Sequence, residues 1–98
     1  MLEDYIELER MEGQGYKISL CREDSKALVY TIRGEIKDEH FIIRIQNHIG
    51  KTSERFGEIN LGNFRELDKR LYETAVRLGE KKASNLGIRL VDLTKSNV

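Results

Sequence analysis

Basic and polar side chains recur at alternate positions of several apolar segments, and this spacing places them together on one face of a β-sheet. Cations bind the phosphates of a nucleic acid, and planar or amide side chains contact its bases. We therefore interpret this face as a candidate surface for single-stranded nucleic acid. The predicted phosphate contacts are Lys17, Arg33, Arg44 and Lys51, and the predicted polar contacts are His40 and Gln46.

Two other interpretations of this face stay open. An antiparallel sheet often leaves one face solvated without any binding role, and a face of mixed polarity can also bind a protein partner. Tyr5 is the one clear aromatic residue predicted there, whereas stacking usually carries much of the affinity for a single strand. The electrostatics of this face would discriminate between the three interpretations.

The histidines, acidic residues and cysteine form no recognisable catalytic or metal-binding pattern. His40 and His48 belong to one predicted strand or its end, and at about 3.3 Å per residue they are too distant to share a metal ion. The triplet 35–37 (Glu-Ile-Lys) matches half of a metal-dependent nuclease motif, but a charged hairpin turn explains it better. Cys21 has no histidine or second cysteine nearby, which favours a structural role. We therefore predict no enzyme activity, no cofactor and no metal site.

Composition and charge restrict the class of protein. The chain has 98 residues, of which 39% are apolar and 35% charged, as in one soluble domain covering residues 1–98. The acidic start resembles no secretory leader, and no apolar run is long enough to span a membrane. Because Cys21 is the only cysteine, no disulfide within the chain is expected. We therefore predict a cytoplasmic protein. Net charge is zero, although residues 1–40 are acidic and residues 41–98 are basic.

The apolar pattern changes period once along the chain. Five segments alternate like half-buried strands, and they are Tyr5–Met11, Tyr16–Arg22, Ala27–Arg33, His40–Gln46 and Arg55–Leu61, with a charged turn predicted at 34–39. From Phe64 the apolar spacing becomes three and four, which predicts one helix capped by Asn63 and Glu66. Gly79 is the predicted stop, although an extension to Asn85 stays open. Residues 88–93 are predicted to form a last short strand or an extended arm.

This order predicts an α+β fold, in which an antiparallel meander sheet of five or six strands is covered on one face by one long amphipathic helix. Alternation then assigns each strand residue to the covered face or the open face. The predicted covered face consists of Ile6, Leu8, Ile18, Leu20, Leu28, Tyr30, Ile32, Phe41, Ile43, Ile45, Ile59 and Leu61.

The predicted order of strands followed by one amphipathic helix resembles the positive-cofactor-four transcription coactivators. The residues that carry this resemblance are Ile43-Arg44 in the fourth strand and the run 57–61 that leads into 63–67. The layout is also similar to the Pur-alpha repeats. The resemblance covers about residues 16–79 and implies a curved four-stranded sheet backed by a helix, dimerisation, and single-stranded DNA or RNA binding on the sheet. Carried over by position, it implies a strand cation at Arg44 and loop cations at Lys51 and Arg55.

The sequence therefore predicts a homodimeric, non-enzymatic module that binds single-stranded nucleic acid, with a role in transcription regulation implied by the resemblance. The alternative is a protein-interaction or regulatory module that pairs through a sheet edge or the exposed face of the helix.

Overall fold

The computed structural model describes the backbone of residues 3–38, 40–50, 52–60 and 64–95, and the side chains of residues 3–35, 38, 40–50 and 67–94. It contains a six-stranded sheet and one long helix that packs on it. In chain order the elements are β1 (Tyr5–Arg10), β2 (Gly15–Cys21), β3 (Lys26–Lys37), β4 (His40–Asn47), β5 (Thr52–Asn60), α1 (Phe64–Leu86), β6 (Arg89–Asp92) and a short 3₁₀ turn (Leu93–Lys95).

The α+β architecture is confirmed, but the prediction of a purely antiparallel meander is wrong. Strands β1 to β5 pair in sequence order and antiparallel, whereas β6 lies beside β1 and parallel to it, so the sheet is mixed. The long helix is the physical reason. It leaves the end of the sheet where β5 finishes and returns the chain to the opposite end, so the next strand runs in the same direction as β1.

The core lies between α1 and one face of the sheet. Its strand residues include Ile6, Ile18, Ile32 and Phe41, and its helix residues lie three or four positions apart at Leu67, Leu71 and Ala75. This spacing places the helix residues on one stripe. The predicted covered face is confirmed for the described side chains except Leu28, while Ile59 and Leu61 lie outside the described side chains.

Leu28 lies on the open face because β3 contains a bulge. Ile18 pairs with Tyr30, but the next residue, Ser19, pairs with Leu28. One extra residue, Val29, therefore interrupts the alternation and exchanges the two faces for the strand positions before it. As a result Leu28 is 38% exposed, and Lys26 shares the open face with Ser19.

The predicted charged turn at 34–39 is wrong for residues 34–37, which extend β3 as far as Lys37. Gly34 makes this possible. The ring of Phe41, on the neighbouring strand, lies where a side chain at position 34 would stand. Phe41 is fully buried there, so a glycine that was interpreted as a turn signal instead accommodates a core aromatic ring.

The helix continues past Gly79, which the sequence marked as its stop. Gly79 is buried in the middle of α1, where Leu90 packs against it. The helix ends at Leu86, and Gly87 follows with a φ of 68°. Ile88 N–H donates to the carbonyl of Ala83 at 2.9 Å and Gly87 N–H to that of Ser84 at 3.2 Å, which is the Schellman pattern. The predicted cap at Asn63 and Glu66 falls outside the described side chains.

Candidate nucleic-acid interface

Three arginines stand at one level of the sheet, on three adjacent strands. Arg33 of β3 is the register partner of Arg44 of β4, and Arg44 is the register partner of Arg55 of β5. We call these residues the arginine row. Antiparallel partners lie about 5 Å apart and point to the same side, and for Arg33 and Arg44 that side is the open face, opposite Ile32 and Ile43 in the core.

A bulge in the β4–β5 ladder brings Arg55 into the row. Ile43 pairs with Gly57, whereas Arg44 pairs with Arg55, so β5 carries one extra residue at Phe56. Nothing in the residue pattern of β5 marks this position, and regular pairing would have placed a different residue opposite Arg44. The arginine row is therefore a product of sheet register.

The two described arginines of the row differ in their contacts. Both are exposed. Arg44 Nε donates to Glu35 Oε2 at 2.6 Å, and the two side chains are 46% and 45% exposed. Among the described side chains, none forms an ion pair or hydrogen bond with Arg33. Among the described side chains, the charge of the arginine row is therefore offset at Arg44 and not at Arg33.

The polar residues predicted as base contacts flank the arginine row. Gln46 is exposed and stands two residues after Arg44 on β4, where its register partner on β3 is Thr31. Thr31 Oγ1 lies 3.1 Å from His48 Nε2. His40 is half-buried at the end of β4 on the other side of the row. Between His40 and Arg44 lies Ile42, which is nearly buried although it belongs to the open face. The row therefore has amide and hydroxyl groups on one flank and an apolar residue on the other.

The other end of the open face carries acidic residues that are already paired with lysines. Lys26 Nζ lies 2.5 Å from Glu7 Oε1 and 3.0 Å from Glu9 Oε1, and Lys17 Nζ lies 3.4 Å from Glu9 Oε1. We call these four residues the ion-pair cluster. Lys26 starts on β3 and reaches β1 across β2, where the small side chains of Ser19 and Cys21 leave room for its stem.

Burial makes the ion-pair cluster more than a surface contact. Glu7 is only 8% exposed, and a buried carboxylate is stabilised by a charge partner and hydrogen bonds. The hydrogen bond from Lys26 to Glu7, followed by that to Glu9, raises the pKa of Lys26 well above its ordinary value. Partial burial of Glu9 by itself would raise its pKa. The hydrogen bond and the positive charge of Lys26 have the larger effect, so the pKa of Glu9 is lowered.

Cys21 and Tyr5 lie beside the ion-pair cluster and take part in its contacts. Burial, followed by the charge of Glu7, raises the pKa of the Cys21 thiol, which keeps the thiol protonated and favours the structural role expected from the sequence. The guanidinium of Arg89 lies 5.8 Å from the centre of the Tyr5 ring. The one aromatic residue predicted for the open face is therefore already in contact with a cation of its own chain.

The structure brings some of the sequence-predicted contacts together and separates others. Arg33 and Arg44 are adjacent, and Arg55 is placed in the same row by its backbone register. Gln46 and His40 lie on the same strand as Arg44. Lys17 stands opposite Thr31, one level from Arg33, but its ammonium group lies 3.4 Å from Glu9 Oε1 in the ion-pair cluster. Lys51 lies outside the described residues, and Arg55 is described by its backbone alone.

Sequence reasoning missed the ion-pair cluster. The third strand was predicted to begin at Ala27, whereas Lys26 begins β3 and pairs with the carboxylates of Glu7 and Glu9. The alternation of Glu7 and Glu9 with Ile6 and Leu8 did indicate that the acids share a face. The bulge at Val29, which brings Lys26 to that face, left no signal in the residue pattern.

Among the described residues, no group of three or more histidine, cysteine or acidic side chains is arranged to hold a metal ion. Within the part of the chain that the structure covers, no helix combines the length and the apolar character needed to cross a membrane.

Comparisons with protein-family models, with curated proteins and with solved structures found no match for this chain. The resemblance to the positive-cofactor-four and Pur-alpha families therefore stays a prediction from the sequence.

Proposed function

We propose that this domain is a small non-enzymatic module that binds single-stranded nucleic acid across the open face of its sheet. The observation that carries this proposal is the arginine row, in which Arg33, Arg44 and Arg55 are register partners on three adjacent strands. A transcription role, as in the families that the sequence resembles, is compatible with such binding.

The first argument is electrostatic. Like charges placed directly opposite each other in a sheet destabilise it, and the exposed Arg33 has no ion-pair partner among the described side chains. A polyanion that lies along the row would relieve this repulsion and place a phosphate beside each guanidinium. We therefore interpret the repulsion between the arginines as an unfavourable electrostatic energy that a bound polyanion would relieve.

The second argument is geometric. Neighbouring strands lie about 4.8 Å apart, so the row spans about 10 Å, which is about the length of three stacked nucleotides. The bound chain would cross the strands rather than follow one of them. Its bases would then reach the exposed Gln46 on one flank or the half-buried His40 on the other.

The third argument concerns the balance of forces. Base stacking on aromatic side chains contributes much of the affinity in typical single-strand binders, and here Tyr5 already contacts Arg89. Phosphate contacts must therefore supply most of the affinity. We accordingly propose binding that is weakly dependent on base sequence and strongly dependent on salt.

Fluorescence anisotropy with a labelled single-stranded oligonucleotide tests the proposal. We expect binding at about 50 mM salt that weakens by an order of magnitude or more at about 200 mM salt. Arg33→Gln should weaken binding about five- to tenfold, because one phosphate contact is lost. Arg77→Gln, on the exposed side of α1, is the matched control and should bind like the wild type. A wild-type protein that leaves the oligonucleotide free at low salt would end the proposal.

The position of β5 favours a second candidate function. β5 is the last strand on its side of the sheet and has nine residues, and an outer strand of this length can pair with a strand of another chain. A second copy of this chain, as expected for a homodimer, or a different protein would suit this edge. Light scattering measures the copy number, and a pull-down under nuclease treatment that captures a defined protein would favour this candidate over nucleic acid.

A further inference from the structure

Glu35 contacts Arg44 in a way that leaves most of the guanidinium accessible. The carboxylate accepts a hydrogen bond from Nε, the nitrogen nearest the side-chain stem, at 2.6 Å. Arginine has four further N–H donors on its two terminal nitrogens, and these bind a phosphate end-on with two parallel hydrogen bonds. The contact with Glu35 therefore does not occupy the donors that a phosphate would use.

The register of β3 and β4 explains why Glu35 can make this contact. Glu35 pairs with Ile42, whereas Arg44 pairs with Arg33, so Glu35 and Arg44 are diagonal neighbours on the open face. Diagonal neighbours lie within reach when the side chains are long. Glu35 also lies two residues from Arg33, so its charge reduces the repulsion between Arg33 and Arg44.

We propose that Glu35 is a positioning residue, which holds the Arg44 guanidinium with its terminal nitrogens directed at a phosphate of the bound strand. This inference rests on the proposed nucleic-acid function. A free arginine side chain loses several rotatable degrees of freedom when it binds, and that loss reduces affinity. Glu35 reduces the loss by ordering Arg44 before the ligand arrives.

The opposite role, in which Glu35 competes with phosphate for Arg44, makes different predictions for two substitutions. Glu35→Gln removes the negative charge but keeps an oxygen that accepts a hydrogen bond from Nε. Glu35→Ala removes both the charge and the acceptor. Because the two variants have the same net charge, their comparison isolates the positioning contact from the electrostatic effect.

The experiment measures oligonucleotide affinity by fluorescence anisotropy over a range of salt concentrations for the wild type, Glu35→Gln and Glu35→Ala. We expect Glu35→Gln to bind at least as tightly as the wild type, and Glu35→Ala to bind about two- to tenfold more weakly than Glu35→Gln. The slope of log affinity against log salt should fall by about one for Glu35→Ala and stay unchanged for Glu35→Gln. A merely structural role would not change this slope.

Two results would overturn the inference while leaving the proposed function in place. If Glu35→Ala bound as tightly as Glu35→Gln or more tightly, Glu35 would be a competitor or a bystander. If both variants bound equally weakly with a wild-type salt slope, the carboxylate charge would act without positioning Arg44. Absence of wild-type binding at low salt would remove both this inference and the proposed function. Thermal melts of all three proteins verify that the exposed substitutions leave the fold intact.

Discussion

The two ends of the open face use charge in opposite ways. In the ion-pair cluster, two glutamates and two lysines neutralise each other around the nearly buried carboxylate of Glu7. In the arginine row, three residues of the same sign are register partners, and Glu35 offsets part of their charge through Arg44. The first arrangement stabilises the folded protein by itself, whereas the second is the one that we propose is completed by an external anion.

This difference shows why residue type alone is a poor guide to a binding surface. Lys17 and Arg33 are both cations on the open face, and alternation alone does not distinguish them. Their neighbours separate them, because Lys17 lies 3.4 Å from Glu9 whereas none of the described side chains pairs with Arg33. The comparison leads to four predictions, beginning with the largest effect.

Gly34→Ala should have the largest effect, because it disturbs the support of the arginine row. A methyl group at position 34 would collide with the buried ring of Phe41, and overpacking of this kind typically costs about 1–3 kcal/mol. Urea denaturation measures the loss in free energy of unfolding. Gly13→Ala is the control for glycine removal, since a Cβ at position 13 meets no atom within 4 Å, although its φ of 80° adds some backbone strain. A Gly34→Ala variant as stable as the wild type would contradict the packing argument.

Lys26→Met tests the ion-pair cluster. The substitution keeps the apolar stem and leaves the carboxylate of Glu7 buried without its cation, which should cost about 1–2 kcal/mol of folding free energy. Arg33→Met is the counterpart in the arginine row, and it should leave stability unchanged or slightly increase it because a like-charge contact is removed. Chemical denaturation of both variants decides the comparison, and equal losses in the two would show that the two ends of the face do not differ as described.

Lys17→Gln tests whether the same cluster takes part in binding. Since Glu9 already neutralises Lys17, the variant should bind an oligonucleotide within about twofold of the wild type, whereas a lost phosphate contact costs several-fold. Anisotropy at low salt measures both Lys17→Gln and Arg33→Gln. If Lys17→Gln weakened binding as much as Arg33→Gln, the contact surface would have to include the cluster.

The smallest effect concerns acid stability. Partial burial opposes ionisation of Glu9, but Lys26 and Lys17 together lower its pKa below the ordinary value of 4.5. A carboxyl group with a lower pKa in the folded state stabilises the fold above its unfolded pKa, and that contribution is lost as the pH falls through the folded pKa. Between about pH 5 and pH 3, wild-type stability should therefore fall more than that of Glu9→Gln, by less than about 1 kcal/mol. Denaturation midpoints at both pH values measure the difference, and parallel curves would contradict it.

Much of the fold follows from the spacing of apolar residues. Alternation at Ile6 and Leu8, and again at Ile43 and Ile45, predicted strands and the face that each residue occupies, because strand side chains alternate with a period of two. The change to helical spacing after Phe64 predicted α1 and its packing on the sheet. These features depend on local geometry, which a sequence encodes directly.

The candidate site could be predicted only in part. Arg33, Arg44 and Gln46 were assigned to the open face from alternation alone, and the structure places all three there. The neutralisation of Lys17, the pairing of Glu35 with Arg44 and the alignment of Arg55 with Arg44 were not predictable, because each depends on which residue of a neighbouring strand stands opposite.

By itself the sequence determined the alternating strands, the amphipathic helix and the membership of most residues in the covered or the open face. Only the tertiary structure decided that Leu28 and Lys26 face the open side, that Gly87 rather than Gly79 ends the helix, and that β6 runs parallel to β1. The physical reason is the same throughout. Periodicity and propensity act within a few residues of chain, whereas bulges, registers and the direction of a last strand are set by contacts between segments that are distant in sequence.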